Sequence, residues 1–164
     1  MTDPASTFDS AARNAARLAA VQALYQMEIT GVDADSVTAE FSSFRFRREP
    51  EVTPGDPDET FFADLVHGVP ARQAEIDAVL AKCLAANWRL SRVDSIVRAI
   101  LRCGAYELMA RPDVPAKVVI DEYVGLAHGF DAEQDVPFIN AALDKLAHRK
   151  RAAEFGGKTP DDEF

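Results

Sequence analysis

Between Ser91 and Ala110, apolar or small residues return at Val93, Ile96, Val97, Ile100, Leu101, Gly104 and Leu108. Intervals of three and four place all of them on one face of an α-helix, whereas a strand would alternate every second residue. A stripe this continuous has to be covered by other helices, so the segment predicts the centre of a helical core. Gly104 lies on the stripe, where it forgoes up to about 1 kcal/mol of helix propensity and lets a neighbouring helix approach closely. Arg111-Pro112 stops the segment, because proline cannot continue a helix.

The rest of the chain follows the same period. Asp9 to Ile29 predicts a first helix, with Ala16, Ala20, Ala23, Leu24 and Met27 on one side and Gly31 as its C-cap. Asp35 or Ser36 is placed to cap a second, shorter helix running through Phe44. Arg47 to Asp58, with Pro50, Pro54, Gly55 and Pro57, predicts a loop. Asp58-Glu59-Thr60 puts acids in the first turn of a third helix that Gly68 and Pro70 punctuate, and a fourth follows from Ala71 to about Asn87. Asp113-Val114-Pro115 opens a helix reaching Gly129 with a capping acid, and a last helix from about Asp135 carries Ile139, Ala142, Leu143, Leu146 and Ala147 on one stripe. No stretch alternates as a strand does. The expected fold is therefore all-α: about seven helices in a single domain over residues 1–164. Its two helical halves span residues 5–70 and 71–153, and residues 154–164 form a flexible acidic tail.

Composition narrows the function classes. The 164 residues carry 27 acidic against 18 basic side chains, a formal charge of −9. Such a balance argues against gripping nucleic acid by bulk electrostatics, unless basic residues cluster locally or a partner supplies positive charge. No apolar run approaches the roughly 20 residues of a membrane span, and the N-terminus lacks the basic and apolar regions of a signal peptide. The chain is expected in the cytoplasm, with Cys83 and Cys103 as buried reduced thiols. His67, His128 and His148 are too scattered for a metal site. Gly156-Gly157-Lys158-Thr159 ends like a phosphate loop but lacks its earlier glycine, preceding strand and following helix. Adjacent carboxylates such as Asp121-Glu122 point to different sides of a helix and cannot share a substrate. The expectation is a protein that is not an enzyme and has no cofactor and no metal.

Two features stand apart. Arg13 and Arg17 are four residues apart on the first helix, near the positive end of its dipole; they form either a solvated pair or a contact for an anion. Phe138 sits about 100° from the centre of the last helix's apolar stripe, at the edge of the core, where it either packs under the preceding loop or offers a ring to a base. The run Phe41 to Arg48 is similarly double-sided, with its phenylalanines expected in the core and its arginines in solvent.

Longer motifs carry a resemblance. Arg17-Leu18-Ala19-Ala20-Val21-Gln22-Ala23-Leu24-Tyr25-Gln26, Arg98-Ala99-Ile100-Leu101-Arg102-Cys103-Gly104-Ala105-Tyr106-Glu107-Leu108, then Val114-Pro115 with Ile120-Asp121-Glu122-Tyr123-Val124-Gly125-Leu126-Ala127, and finally Phe138-Ile139-Asn140-Ala141-Ala142-Leu143-Asp144 stand in the order found in NusB antitermination factors. The chain resembles that family over nearly its whole length. The resemblance implies two three-helix bundles and a part in processive transcription of ribosomal RNA operons. It also implies binding to the boxA element of nascent RNA together with NusE, a small-subunit ribosomal protein, within the transcription elongation complex. The RNA-binding positions it implies are Arg13, Arg17, Gln22, Tyr25 and Phe138, and some relatives form homodimers. Asn14 and Ala15 stand where many relatives carry further basic residues, so RNA affinity of the isolated chain is expected to be weak. Val97 replaces a frequent acid, and Asp121 a frequent Asn. Two other readings compete: a helical protein-protein adaptor with little RNA affinity, and an RNA-modifying enzyme, which the absence of a cofactor loop disfavours.

Overall fold

A computed structural model describes residues 4–46, 57–85 and 88–156, the side chains of residues 4–9, 44 and 45 excepted. The readings made for Phe44, Arg45, Arg47 and Arg48, for the proline-rich loop, and for the stretch after Gly156 lie wholly or mostly outside these residues. Seven α-helices and no strand occur among the described residues. The chain divides into two compact units, Met1–Ala71 and Arg72–Phe164.

The first unit holds α1 (Pro4–Thr30), α2 (Ala34–Glu40) and α3 (Glu59–Ala71). Helix α1 begins five residues earlier than the periodicity suggested, because Pro4 is tolerated at a first helical position. It ends as expected, with Gly31 at φ +78° and its N–H donating to Met27 O. The buried face of α1 is nearly all alanine (Ala12, Ala16, Ala19, Ala20 and Ala23), while α3 buries Phe61, Phe62, Leu65, Val66 and Val69. Small side chains on one helix make room for large ones on the other, so the packed pair fills its volume.

Asp33, not Asp35 or Ser36, caps α2, accepting from Ser36 N at 2.8 Å. The difference follows from reach: an N-cap carboxylate serves the N–H three residues on, and from Asp33 that is the first turn. Helix α2 stops at Glu40, and Phe41–Arg45 form a wider turn closed by Phe46 N to Phe41 O at 2.8 Å. One extra residue per turn brings Phe41 and Phe46 together on Phe62, with ring centroids 5.2 and 5.0 Å away. Helix α3 runs through Gly68 and Pro70 to Ala71 rather than breaking at them. Pro70 has no N–H for the carbonyl four residues back, but it stands one residue before the helix ends, so the disturbance is confined to the final turn.

His67 joins α3 to α2. Its Nδ1 faces Ala63 O and its Nε2 faces Asp35 Oδ1, both at 2.9 Å. Both partners are acceptors, so only the imidazolium, with a proton on each nitrogen, satisfies both. The Asp35 hydrogen bond, and then the Ala63 carbonyl, raise the His67 pKa above its ordinary 6.5. With the folded value above the unfolded one, the contribution is full below about pH 6.5 and is lost as pH rises through the folded pKa. Asp35 is almost fully exposed, so the effect is small, below about 1 kcal/mol. Urea midpoints of wild type and His67→Gln should differ at about pH 5.5 and converge by about pH 9. A difference that grows with pH would contradict this account.

The second unit holds α4 (Gln73–Cys83), α5 (Ser95–Ala110), α6 (Ala116–Gly129) and α7 (Val136–Lys150), with single 3-10 turns at Leu90–Arg92, Glu133–Asp135 and Ala152–Phe155. Helix α5 is the centre, flanked by α4, α6 and α7. Val93, Val97, Ile100, Leu101, Gly104 and Leu108 are buried as their period requires, and Ile96 is half-buried. A β-carbon at Gly104 would lie 3.0 Å from both Cδ atoms of Leu143 and 3.4 Å from Tyr123 Cδ2, so the close approach inferred for this glycine is present. Helix α4 ends at Cys83, short of Asn87, because Leu84 turns extended.

Helix α5 starts at Ser95, not Ser91. Asp94 caps it by accepting from Ile96 N at 3.0 Å, and the residues before it are gathered by the buried Arg98, which donates to the carbonyls of Val93 (2.6 Å) and Leu90 (3.2 Å). The acid expected to cap α6, Asp113, instead accepts from Arg111 at 3.0 Å. The Ala116 N–H donates to Glu154 Oε1 at 2.8 Å, a cap supplied from 38 residues away. Arg151 stands beside it, donating to Leu108 O (2.8 Å), Val114 O (2.9 Å), Arg111 O (2.7 Å), Glu107 O (3.1 Å) and Glu154 Oε2 (2.6 Å). Glu154, expected to open an acidic tail, is thus tied into the second unit.

Candidate nucleic-acid interface

On α1, Arg13 and Arg17 share one aromatic neighbour. Their guanidinium carbons lie 4.7 and 5.1 Å from the centroid of the Phe61 ring. The negative face of that ring offsets the repulsion of two like charges one helical turn apart. Their exposures differ. The Arg13 side chain is 33% exposed, with Nε 4.0 Å from Asp58 Oδ2, a distance at the limit of an ion pair. Arg17 is only 2% exposed and donates to Asn14 Oδ1 at 2.9 Å. The solvated pair that spacing allowed is therefore corrected: Phe61, itself buried, draws Arg17 inward. Asn14, read as a lost basic position, is what anchors it.

Further along α1, Gln22 is half-buried and Tyr25 is 38% exposed. With Leu18 and Ile29, both exposed, they recur at intervals of four, three and four, a stripe of uncharged residues on one face. The structure therefore places Arg13, Arg17, Gln22 and Tyr25 all on α1, with Arg13 and Tyr25 open to solvent and Arg17 closed to it.

In the second unit, Phe138 occupies the first turn of α7 and is half-buried, at the edge of the core as its phase predicted. Its ring rests against Trp88, with centroids 5.2 Å apart and planes inclined by 39°. Trp88 was missed by sequence reasoning, which placed it just beyond a helix end. The available signal was compositional: it is the chain's single tryptophan, set between Asn87 and Arg89. Val97 is buried in the core and Asp121 is exposed. The first of these departures from the family pattern therefore falls on packing, the second on surface.

Reactive chemistry is thin here. Cys103 is fully buried, and desolvation pushes its thiol far above the usual range, so it stays protonated and inert. Tyr123 donates to Glu107 in a fully buried pair within the same core. No group of three His, Cys, Asp or Glu side chains that could hold a metal occurs among the described residues, and none of the described helices is long and apolar enough to cross a membrane.

Comparison with known proteins agrees with these motifs. The pattern of the NusB family matches residues 14–148. The chain is 54% identical to the transcription antitermination protein NusB of Caulobacter vibrioides over 140 residues, covering 85% of this chain and 94% of that one. It is 51% identical to the protein of the same name from Nitrobacter hamburgensis over 144 residues, covering 87% and 90%. Among solved structures, T. maritima NusB is similar with a TM-score of 0.71 at 25% identity, over 95% of this chain and 99% of that one. With the motif order, the helical architecture and half-identical relatives in agreement, the chain belongs to the NusB family.

Proposed function

We propose that the chain is a transcription antitermination factor that acts in the cytoplasm, binds the boxA element of nascent ribosomal RNA together with NusE, and works by binding rather than catalysis. The observation that carries this reading is the half-identity, over most of both chains, to relatives named transcription antitermination protein NusB. Geometry supports it in two places. Arg13 and Tyr25 are accessible on α1, and Phe138 stands half-open beside an exposed aromatic ring, as base stacking requires. Arg17 is a positioning residue in this reading: held by Asn14 and Phe61, it fixes the start of the α1 surface.

The charge of −9 and the burial of Arg17 favour a partner-dependent mode, in which NusE brings both contact area and positive charge. The uncharged stripe Leu18, Gln22, Tyr25 and Ile29 supports a protein contact on α1, with NusE or with a second copy. The same facts favour, as a second reading, an adaptor that binds protein alone. Titrating fluorescently labelled boxA RNA with the protein, with and without NusE, decides between them. The antitermination reading expects weak binding alone, stronger binding with NusE, and preference over a scrambled RNA at moderate salt. Phe138→Ala should weaken the complex about tenfold, the value of roughly one stacked base, and Arg17→Ala should weaken it as well. Tight NusE binding with no RNA contribution would select the adaptor.

A further inference from the structure

Among the described residues, the arginine side chains of this acidic chain are nearly all engaged. Arg13 and Arg17 lie over Phe61; Arg72, Arg102 and Arg111 pair with Glu75, Asp77 and Asp113; Arg98 and Arg151 fill their donors with carbonyls; and Arg149 has partners too. Two arginines break the pattern. Arg89 and Arg92 are exposed, and among the described residues neither meets a carboxylate, a hydrogen-bond acceptor or a ring. In a chain of 27 acids against 18 bases, two exposed arginines that no described carboxylate meets are the less expected arrangement.

These arginines stand one and four residues after the exposed ring already described. Trp88 is 49% exposed although it leans on Phe138 at 5.2 Å. Its backbone is pinned, with Trp88 N donating to Ala85 O at 2.9 Å, and the following turn is closed by Arg92 N to Arg89 O at 2.9 Å. The ring and both arginines therefore stand on a short, hydrogen-bonded stretch of one unit. A supported indole with half its surface in water, followed one and four residues later by two exposed arginines with no partner among the described residues, has the two components that single-stranded nucleic acid requires: a π-face for a base and positive charge for the adjoining phosphates. A protein segment would be expected to bring carboxylates for the arginines and an apolar side chain that buries against the ring in a pocket, whereas the Trp88 ring is 49% exposed. Stacking on an open face suits a flat base better.

We infer that Trp88, Arg89 and Arg92 extend the Phe138 contact into a platform for single-stranded RNA, with Trp88 stacking one unpaired base and the arginines holding flanking phosphates. This rests on the RNA-binding reading above and adds residues that the motif resemblance did not mark. Within this platform, Arg89→Gln and Arg92→Gln should change the electrostatic share of affinity, and Trp88→Ala the stacking share.

The single tryptophan makes the test direct. Labelled boxA RNA is titrated into the full chain with NusE, with RNA anisotropy reporting binding and Trp88 emission reporting contact at the ring, each corrected for NusE alone. Quenching should track anisotropy. Trp88→Ala should weaken binding about tenfold, and Trp88→Phe, which keeps a ring, should restore most of the loss. The double variant Arg89→Gln/Arg92→Gln should lower the slope of log K against log salt by about 1.4, two phosphates at about 0.7 each. Unchanged circular dichroism identifies the variants as folded. If the RNA binds while Trp88 emission stays constant and the arginine variant keeps the wild-type slope, the platform is overturned and the RNA reading stands. If no RNA binds to wild type under any condition, both fall. Quenching by NusE alone, with wild-type RNA affinity in Trp88→Ala, would assign the ring to a protein contact and likewise overturn the platform.

Discussion

Replacing Arg151 by alanine should lower the unfolding free energy of residues 72–164 by about 3 kcal/mol, read as a shift in urea midpoint. Its guanidinium, 9% exposed, satisfies four backbone carbonyls at the end of α5 and in the turn leading to α6, and it orients Glu154. Hydrogen bonds to a charged donor are worth about 1.5–3 kcal/mol each, so a plain sum would overshoot. Water entering the emptied site recovers part of the loss for carbonyls near the surface, which is why the expected figure is nearer one or two bonds than five. Arg151→Lys should restore little, because a single ammonium cannot reach carbonyls spread around a planar fork. Glu154→Ala should cost about 1 kcal/mol by uncapping α6. The Ala116 N–H, and then Arg151, depress the Glu154 pKa below its ordinary value. That contribution is present above about pH 4.5 and disappears as pH falls through the folded value. A wild-type midpoint in Arg151→Ala would mean that the carbonyls are served equally well by solvent.

A second large effect is expected at Gly104. Valine there would drive its branches into both methyls of Leu143 and the edge of Tyr123, side chains that are fully buried and have nowhere to retreat. Overpacking of this kind costs about 1–3 kcal/mol, far more than the few tenths that valine gains over glycine in helix propensity. The informative experiment is the pair with Leu143→Ala, which alone should cost about 2–5 kcal/mol by leaving a cavity. Because the valine occupies the space the leucine vacates, the double variant should be more stable than the two single losses predict. Strict additivity would show that Gly104 and Leu143 do not share a volume.

The helices and the core were readable because both depend on local periodicity. The α5 stripe and the edge position of Phe138 follow from 100° per residue and nothing else. What escaped was non-local. Asp113 satisfied every local rule for capping α6, yet Arg111 took it and Glu154, 38 residues on, replaced it. Arg17 looked solvated because spacing along one helix does not reveal an aromatic ring on another; its burial is decided by Phe61 on α3. Trp88 escaped for a third reason. It lies outside any repeating pattern, in the connection between α4 and α5, where sequence carries identity but no phase.

The long-range ties of Arg151 and Glu154 also bear on the order in which the chain is made. Residues 1–71 contain all three helices of their unit, so that core is complete once Ala71 has been synthesised. The second unit is different, because its α6 cap and the carbonyls closing the turn before it are served by residues 37 to 44 positions later. A nascent chain paused anywhere between residues 130 and 150 therefore carries α4, α5, α6 and at most α7 without their clasp, and before residue 136 it lacks α7, one of the helices that cover the α5 stripe. For this half of the molecule the segment carrying Arg151 and Glu154 closes the structure as it emerges from the ribosome, and synthesis rate rather than final stability sets how long the apolar face formed before it stays open to chaperones.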